Sequence, residues 1–175
     1  VSHVTCAPGN AGIATCAEIV PIAATAVNEL LKLAQEKGID LTVVGPEVAL
    51  EAGIVDLFQA HGKAIAGPSQ AAALLESSKA FAKEVMVAAG VPTASYEVFT
   101  AERELRDYCY KQGAPLVLKT DGLASGKGVF VVTDANDFEP AFQQLFGPLH
   151  AERVVVEEFL DGVEVSCIFA CNGRE

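Results

Sequence analysis

Apolar and polar positions along this chain change period several times, and each change marks an element. Val27, Leu30, Leu31 and Ala34 recur at helical spacing, so residues 28–37 predict an amphipathic helix with Asn28 as its cap and Gly38 as its stop. Residues 1–7 and 39–44 are apolar runs that predict strands. Ile54, Leu57, Phe58 and His61 trace a second helix, and residues 64–66 a brief strand before Gly67-Pro68. Residues 8–12 and 45–47 are turn-rich and follow the first two strands. This alternation of strand and helix predicts a parallel sheet with helices on its faces. Ligands on such sheets collect at the carboxyl ends of strands, which makes 8–12 and 45–50 candidates for one shared site.

The middle of the chain changes character. Residues 69–75 and 78–89 read as helices, the second carrying Phe81, Val85, Ala88 and Ala89 on one face. Gly90-Val-Pro92 ends it, as a terminal glycine and a following proline do. From Thr93 the predicted order is strand, helix over 101–112, strand, glycine-rich loop, strand, helix over 134–146, strand. That is a second, α+β unit, with the boundary between the two near 68–94.

The glycine-rich loop is the strongest chemical signal. It lies in Leu116-Val-Leu-Lys-Thr-Asp-Gly-Leu-Ala-Ser-Gly-Lys-Gly-Val-Phe-Val-Val132. Gly122, Gly126 and Gly128 let the backbone turn tightly and approach a ligand closely. Successive N–H groups in such a turn form a concave anion site, to which Lys119 and Lys127 add full positive charge. A P-loop needs a longer spacing between its glycines, then Lys and Ser or Thr, and a helix after it. Here Gly126 comes one residue early, Gly128 follows Lys127, and Val129-Phe-Val-Val132 has strand character. A dinucleotide fingerprint fails too, since Val131 holds the place of its last glycine and no helix opens. The loop therefore joins two strands as a hairpin, a flap over phosphates, with a triphosphate as its natural guest.

A second signal is Arg153-Val-Val-Val-Glu-Glu-Phe-Leu-Asp-Gly-Val-Glu-Val-Ser166, a hydrophobic strand that ends in two acids. Strand-end carboxylates can accept hydrogen bonds from an adenine amino group or from ribose hydroxyls. Phe159-Leu160 can offer its backbone to a base edge. Taken by itself, the run equally suits a solvated hairpin turn.

Composition narrows the partners. The net charge of −11 argues against nucleic acid, because affinity for a phosphate backbone needs clustered Lys and Arg. No uncharged apolar run approaches the ~18–20 residues of a membrane span. The start, Val1-Ser-His-Val-Thr-Cys-Ala-Pro8, lacks the basic and apolar regions of a signal peptide and does not read as one, while the acidic balance suits a cytoplasmic protein that keeps its few basic residues for an anion. The chain begins without Met and closes on a turn-like Cys171-Asn-Gly-Arg-Glu175, so both ends read as cut. Five cysteines without a C-x-x-C pair read as buried free thiols of a reducing compartment. His3, His61 and His150 share no metal spacing, so no metal ligand is assigned here, and no protein partner is evident.

Several motifs occur in one order over nearly the whole chain: Ala7-Pro-Gly-Asn-Ala-Gly12, Val43-Val-Gly-Pro-Glu47, Gly67-Pro-Ser69, Leu75-Glu-Ser-Ser-Lys-Ala-Phe-Ala-Lys83, Lys119-Thr-Asp-Gly-Leu-Ala-Ser-Gly-Lys-Gly128 and Val156-Glu-Glu-Phe-Leu-Asp-Gly-Val-Glu164. Together they resemble the ATP-grasp superfamily and, within it, the phosphoribosylamine–glycine ligase (glycinamide ribonucleotide synthetase) family. The resemblance implies an α/β fold with a Rossmann-like (pre-ATP-grasp) parallel-sheet domain over 1–68 that lacks its first strand. A helical connector over 69–94 follows, then the small α+β lid subdomain of an ATP-grasp fold over 95–158. Residues 159–175 would begin a truncated catalytic subdomain.

The resemblance implies ATP-dependent ligation of glycine to 5-phosphoribosylamine in purine biosynthesis, with Mg2+ held by a part of the family that this chain does not carry. By position it makes Lys79 and Lys119 the catalytic contacts to ATP phosphates, with Gly122, Ser125, Gly126, Lys127 and Gly128 as the flap above them. Glu157 would accept from the adenine amino group, Glu158 and Leu160 would use their backbones on the base, and Glu164 would hold the ribose hydroxyls. Pro8, Gly9 and Asn10, with Pro46 and Glu47, match loops that line the phosphoribosyl site. Read from the residues alone, Glu47 is equally a helix-start acid favoured by the dipole, and Lys79 sits near a helix start where N–H groups favour anions. Ser125 stands where Ala is common and Ala49 where Pro is common, neither of them a charged contact. Two other functions stay open: a non-catalytic nucleotide-binding fragment, and an ATP-grasp ligase of another carboxylate and amine.

Overall fold

The computed structural model describes residues 1–123 and 127–168. The chain divides into two compact units, Val1–Thr93 with Thr120–Gly128, and Ala94–Lys119 with Val129–Glu175.

In the first unit, α1 (Val27–Glu36) buries Leu31 and Ala34 from the apolar stripe. Its cap is Ala26, with no side-chain bond, so Asn28 lies inside the helix and does not cap it. Gly38, at φ +62°, follows the helix in the left-handed region that a glycine adopts without strain. The expected strands are short. β1 (Thr5–Cys6) pairs in parallel with β2 (Glu18–Ile19), and β3 (Thr42–Val43) in parallel with β4 (Ile65–Ala66). The strand–helix alternation thus yields parallel pairing, but as two separate ribbons and not one sheet.

The backbone bonds hold each ribbon together. Carbonyls of Val4 and Cys6 accept from β2 and its following residue, while N–H groups of Thr42 and Val44 donate to the β4 side. A cavity of about 420 Å³ borders both strands and is walled by Leu30, Leu33, Leu41, Val43 and Phe58 among others.

Gly45-Pro46 leads into α2 (Glu47–Glu51), a five-residue helix that Glu47 opens as the helix-start acid of one of its two readings. With α3 (Ile54–Ala60) it supplies Ala49, Ile54, Val55 and Phe58 to the core that Leu31 and Ala34 complete. Two capped helices follow. Ser69 accepts from Ala72 N–H at the start of α4 (Gln70–Ser77), and Ser78 from Phe81 N–H at the start of α5 (Lys79–Ala88).

The second unit is a four-stranded sheet in the order β5 (Tyr96–Phe99), β8 (Val154–Glu158), β6 (Leu116–Thr120), β7 (Val129–Val132). β5 runs antiparallel to β8, and β6 to β7. Helices α6 (Glu102–Gln112) and α7 (Phe138–Phe146) carry Leu105, Cys109, Phe138, Phe142 and Leu145 into one core with Leu116, Leu118, Val132, Val154 and Val156. Strand alternation then puts Val117, Lys119 and Glu157 on the opposite face.

The cysteines do not match the expectation of buried thiols. Cys109 alone is buried among the described ones, Cys6 is half-buried, and Cys16 and Cys167 are exposed. Burial pushes the Cys109 thiol up to about 11, which keeps it protonated and unreactive. In the first unit, Glu18 accepts from Lys37 Nζ at 2.7 Å and from His3 Nε2 at 3.0 Å, and these partners, Lys37 foremost, hold its carboxyl down at about 2 against an ordinary 4.5. A depressed carboxyl stabilises the fold above its unfolded value and loses that contribution as pH falls through the folded one. Urea midpoints of the parent and of Glu18→Gln should therefore differ above pH 4.5 and converge towards pH 2. A gap that stays constant over that range would remove the Lys37 pair as its source.

Candidate functional site

β6 carries the first site residues. Leu116, Leu118 and Thr120 alternate inward as buried positions, and Val117 and Lys119 point to the other face. Leu118 is fully buried, so the strand that carries Lys119 is fixed by packing. Lys119 Nζ lies 2.9 Å from Glu157 Oε1, with the lysine side chain 27 % exposed and the carboxylate 8 %. Glu157 sits on β8, opposite Tyr96 of β5. A carboxylate has lone pairs for several donors, so the lysine does not exhaust it. Glu158, next in line, is exposed. Its N–H donates to the Ser95 carbonyl at 3.0 Å and its Oε1 accepts from Ser95 N–H at 2.9 Å. Any backbone contact of Glu158 to a base thus falls to its carbonyl. Leu160 and Glu164 are exposed and lie past the end of the strand.

The loop itself departs from β6 in an ordered way. Lys119 pairs with Val129 in the ladder, and Thr120 N–H donates to the Gly128 carbonyl at 2.8 Å, so the hairpin continues to its neck. Gly122 has φ +97°, while an added Cβ would meet nothing within 4 Å. Backbone conformation, not space, demands glycine there. Lys127 is exposed and Gly128 buried, and Ser125 and Gly126 lie outside the described residues.

In the first unit, the start of α5 holds on to the same loop. Lys79 Nζ donates to the Gly122 carbonyl at 2.9 Å. Asp121 accepts from Ser78 Oγ at 3.1 Å through Oδ2 and from Ala80 N–H at 3.2 Å through Oδ1. The helix start that sequence reading offers to a bound anion is therefore filled by a carboxylate of the chain. Asp121 escapes sequence reading because its partners lie more than forty positions away and nothing local marks it.

The two strand-end loops are only partly brought together. Ala7, Gly45 and Pro46 border the same cavity, but Pro8, Gly9, Asn10 and Glu47 do not. Asn10 Oδ1 accepts from Ile13 N–H at 3.0 Å and so starts a short 3-10 turn, Ile13–Thr15. Gly9 has φ +71°, and a Cβ there would press on Ile19 at 3.1 Å. Glu47 is exposed in the first turn of α2. The cavity walls are mainly apolar and do not suit a phosphorylated sugar, so the cavity is not assigned to one. Among the described residues, no group of three or more His, Cys, Asp or Glu side chains could hold a metal ion.

This geometry has known counterparts. The family described as phosphoribosylglycinamide synthetase, N domain, matches residues 1–76, and the phosphoribosylglycinamide synthetase, ATP-grasp (A) domain, matches residues 77–175. The chain belongs to the phosphoribosylglycinamide synthetase family. It is 48 % identical over 180 aligned positions to the phosphoribosylamine–glycine ligase of Xylella fastidiosa, which covers 99 % of this chain and 42 % of that protein. The chain thus spans less than half the length of such relatives. Among solved structures, the phosphoribosylamine–glycine ligase of Thermotoga maritima superposes with a TM-score of 0.69 at 29 % identity, over 92 % of this chain and 39 % of that one. The D-alanine–D-alanine ligase of Bacillus anthracis, solved in complex with ATP, superposes with a TM-score of 0.63 at 22 % identity, over 85 % of this chain and 48 % of that one, a likeness of fold. No described helix is long and apolar enough to cross a membrane.

Proposed function

We propose that this chain is the front part of an ATP-dependent ligase that joins glycine to 5-phosphoribosylamine, giving glycinamide ribonucleotide, ADP and phosphate. The observation that carries the reading is the Lys119–Glu157 pair at the strand end that feeds the glycine-rich hairpin. A cation beside a loop of N–H groups suits phosphate, and a carboxylate beside it suits an amino donor such as that of adenine.

The chemistry balances in two steps. A glycine carboxylate oxygen attacks the γ-phosphorus of ATP and ADP leaves, which gives glycyl phosphate. The amine of phosphoribosylamine then attacks the acyl carbon, an amide bond forms, and inorganic phosphate leaves with the amine having lost its proton. Such transfers need charge neutralisation and exclusion of water more than a protein nucleophile. Lys119 and Lys79 are the proposed phosphate contacts, and Gly122, Lys127 and Gly128 the proposed contacts from the loop. Glu157, the Glu158 carbonyl, the Leu160 backbone and Glu164 are the proposed adenosine contacts. Pro8, Gly9 and Asn10 with Pro46 and Glu47 are the proposed phosphoribosyl contacts, since both loops follow the carboxyl ends of parallel strands. Magnesium, when bound, would neutralise phosphate charge, and no residue of this chain is assigned to it. A cytoplasmic setting belongs to the same proposal and suits the free thiols.

The test is ADP release by the complete ligase with glycine and freshly made phosphoribosylamine each supplied or withheld. Release is expected only when both are present. Release that ignores phosphoribosylamine would leave an ATP-grasp nucleotide site with a different amine and overturn the assignment of the first unit.

A further inference from the structure

We infer that Asp121 is a positioning residue for the phosphate end of the nucleotide site, locking the first turn of α5 to the neck of the glycine-rich loop. The inference rests on the proposal that Lys79 and the loop meet phosphate. Three links converge on consecutive residues: Ser78 Oγ to Asp121 Oδ2 at 3.1 Å, Ala80 N–H to Asp121 Oδ1 at 3.2 Å, and Lys79 Nζ to the Gly122 carbonyl at 2.9 Å. Both carboxylate oxygens are engaged, so the aspartate is held against the helix start in one orientation. Ser78 is itself held, because its Oγ also accepts from Phe81 N–H at 3.2 Å. A carboxylate at a helix N-terminus is favoured by the dipole and satisfies a donor that the helix leaves unpaired. Lys79 sits between the two anchored positions, Ser78 and Ala80, so its stem starts from a fixed point. Its ammonium reaches the loop at the residue after Asp121. The arrangement couples a phosphate-directed lysine to the elbow of the loop through a group that a phosphate itself would repel.

That repulsion gives the test its sign. If Asp121 were only a nearby negative charge, removing it would tighten the binding of a triphosphate. If it positions Lys79 and the loop, Asp121→Ala weakens it. ATP and adenosine binding by the complete ligase should be titrated for the parent, Asp121→Ala, Asp121→Asn and Ser78→Ala, together with amide exchange at Ala80. Asp121→Ala is expected to lose about tenfold or more in ATP affinity, the size set by hydrogen bonds to a charged group, with adenosine affinity unchanged. Asp121→Asn keeps an oxygen for Ala80 N–H and sheds the repulsion, so its ATP affinity should match or exceed the parent's. Exchange at Ala80 should quicken in Asp121→Ala and not in Asp121→Asn. Should Asp121→Ala fail to fold, Ser78→Ala, which removes one of the two carboxylate bonds together with the cap on Phe81 N–H, is expected to show a loss of the same kind, confined to ATP. Unchanged or tighter ATP binding by Asp121→Ala, or a parallel loss of adenosine in that variant, would overturn the inference alone. A parent that binds neither ligand would overturn the nucleotide reading and this inference with it.

Discussion

Alanine at Lys119 is expected to lower ATP turnover by the complete ligase by about a hundredfold or more at saturating ATP, the scale of removing one charge-stabilising donor from a transferring group. The reason lies in how the residue is held. Leu116 and Leu118 bury β6 against the helices, and Val129 pairs with Lys119 across the hairpin, so the backbone beneath the ammonium has little freedom. A flexible surface lysine would contribute far less, since its ordering would offset much of the gain. The variant also leaves Glu157 without one partner, on a side chain only 8 % exposed. Some loss of stability is therefore expected beside the loss of turnover, and thermal unfolding of Lys119→Ala and Lys119→Met separates the two. Methionine keeps the stem and its packing, and should restore stability better than turnover. Unchanged turnover in either variant at saturating ATP would remove Lys119 from the phosphate contacts.

The largest stability effect is expected from Phe142→Ala, at about 3–5 kcal/mol as for a fully buried aromatic. Phe142 has no exposed surface and stacks on Phe138 at 6.0 Å between ring centroids, with Tyr110 meeting it edge-on at 6.1 Å. The guanidinium of Arg106 lies over its ring at 4.5 Å and is bound at the same time to Glu139 and Glu102. Truncation would leave a void on one side and an unsupported ion pair on the other. Urea unfolding of the chain measures it. A loss of about 0.5 kcal/mol or less, the level of a surface change, would mean that α7 is not held by this cluster.

How much of this was legible in the sequence varies with the range of the interaction. The hairpin around the glycine-rich loop was readable because alternation and glycine placement are local, and β6 and β7 pair as that pattern demands. α5 was readable because Ser78 caps it within its own turn. The elements missed are those whose cause is distant. β2 is two residues long and exists because Glu18 and Val20 N–H groups find Val4 and Cys6. α2 hides in Gly-Pro-Glu, which favours a turn as strongly as a helix start, and it is Ala49 packing into the core that decides. Asn28 has the chemistry of a cap, yet helical backbone begins one residue earlier at Val27. In the candidate site, lysines and acids were visible as residue types. Their pairings were not, because Lys119 with Glu157 and Ser78 with Asp121 join positions far apart in the chain.

The ion pair of Lys119 with Glu157 has a bearing on what the sheet face rewards. With the two charges matched, a ligand that brings phosphate alone draws the ammonium's charge away from this carboxylate and weakens the pair. A ligand that brings only an amino group shares the carboxylate with the ammonium and weakens the pair from the other side. Under the proposed assignment ATP brings both, so each end of the nucleotide repairs what the other disturbs. The face then favours the intact molecule over the sum of its pieces, a cooperativity written into a single contact.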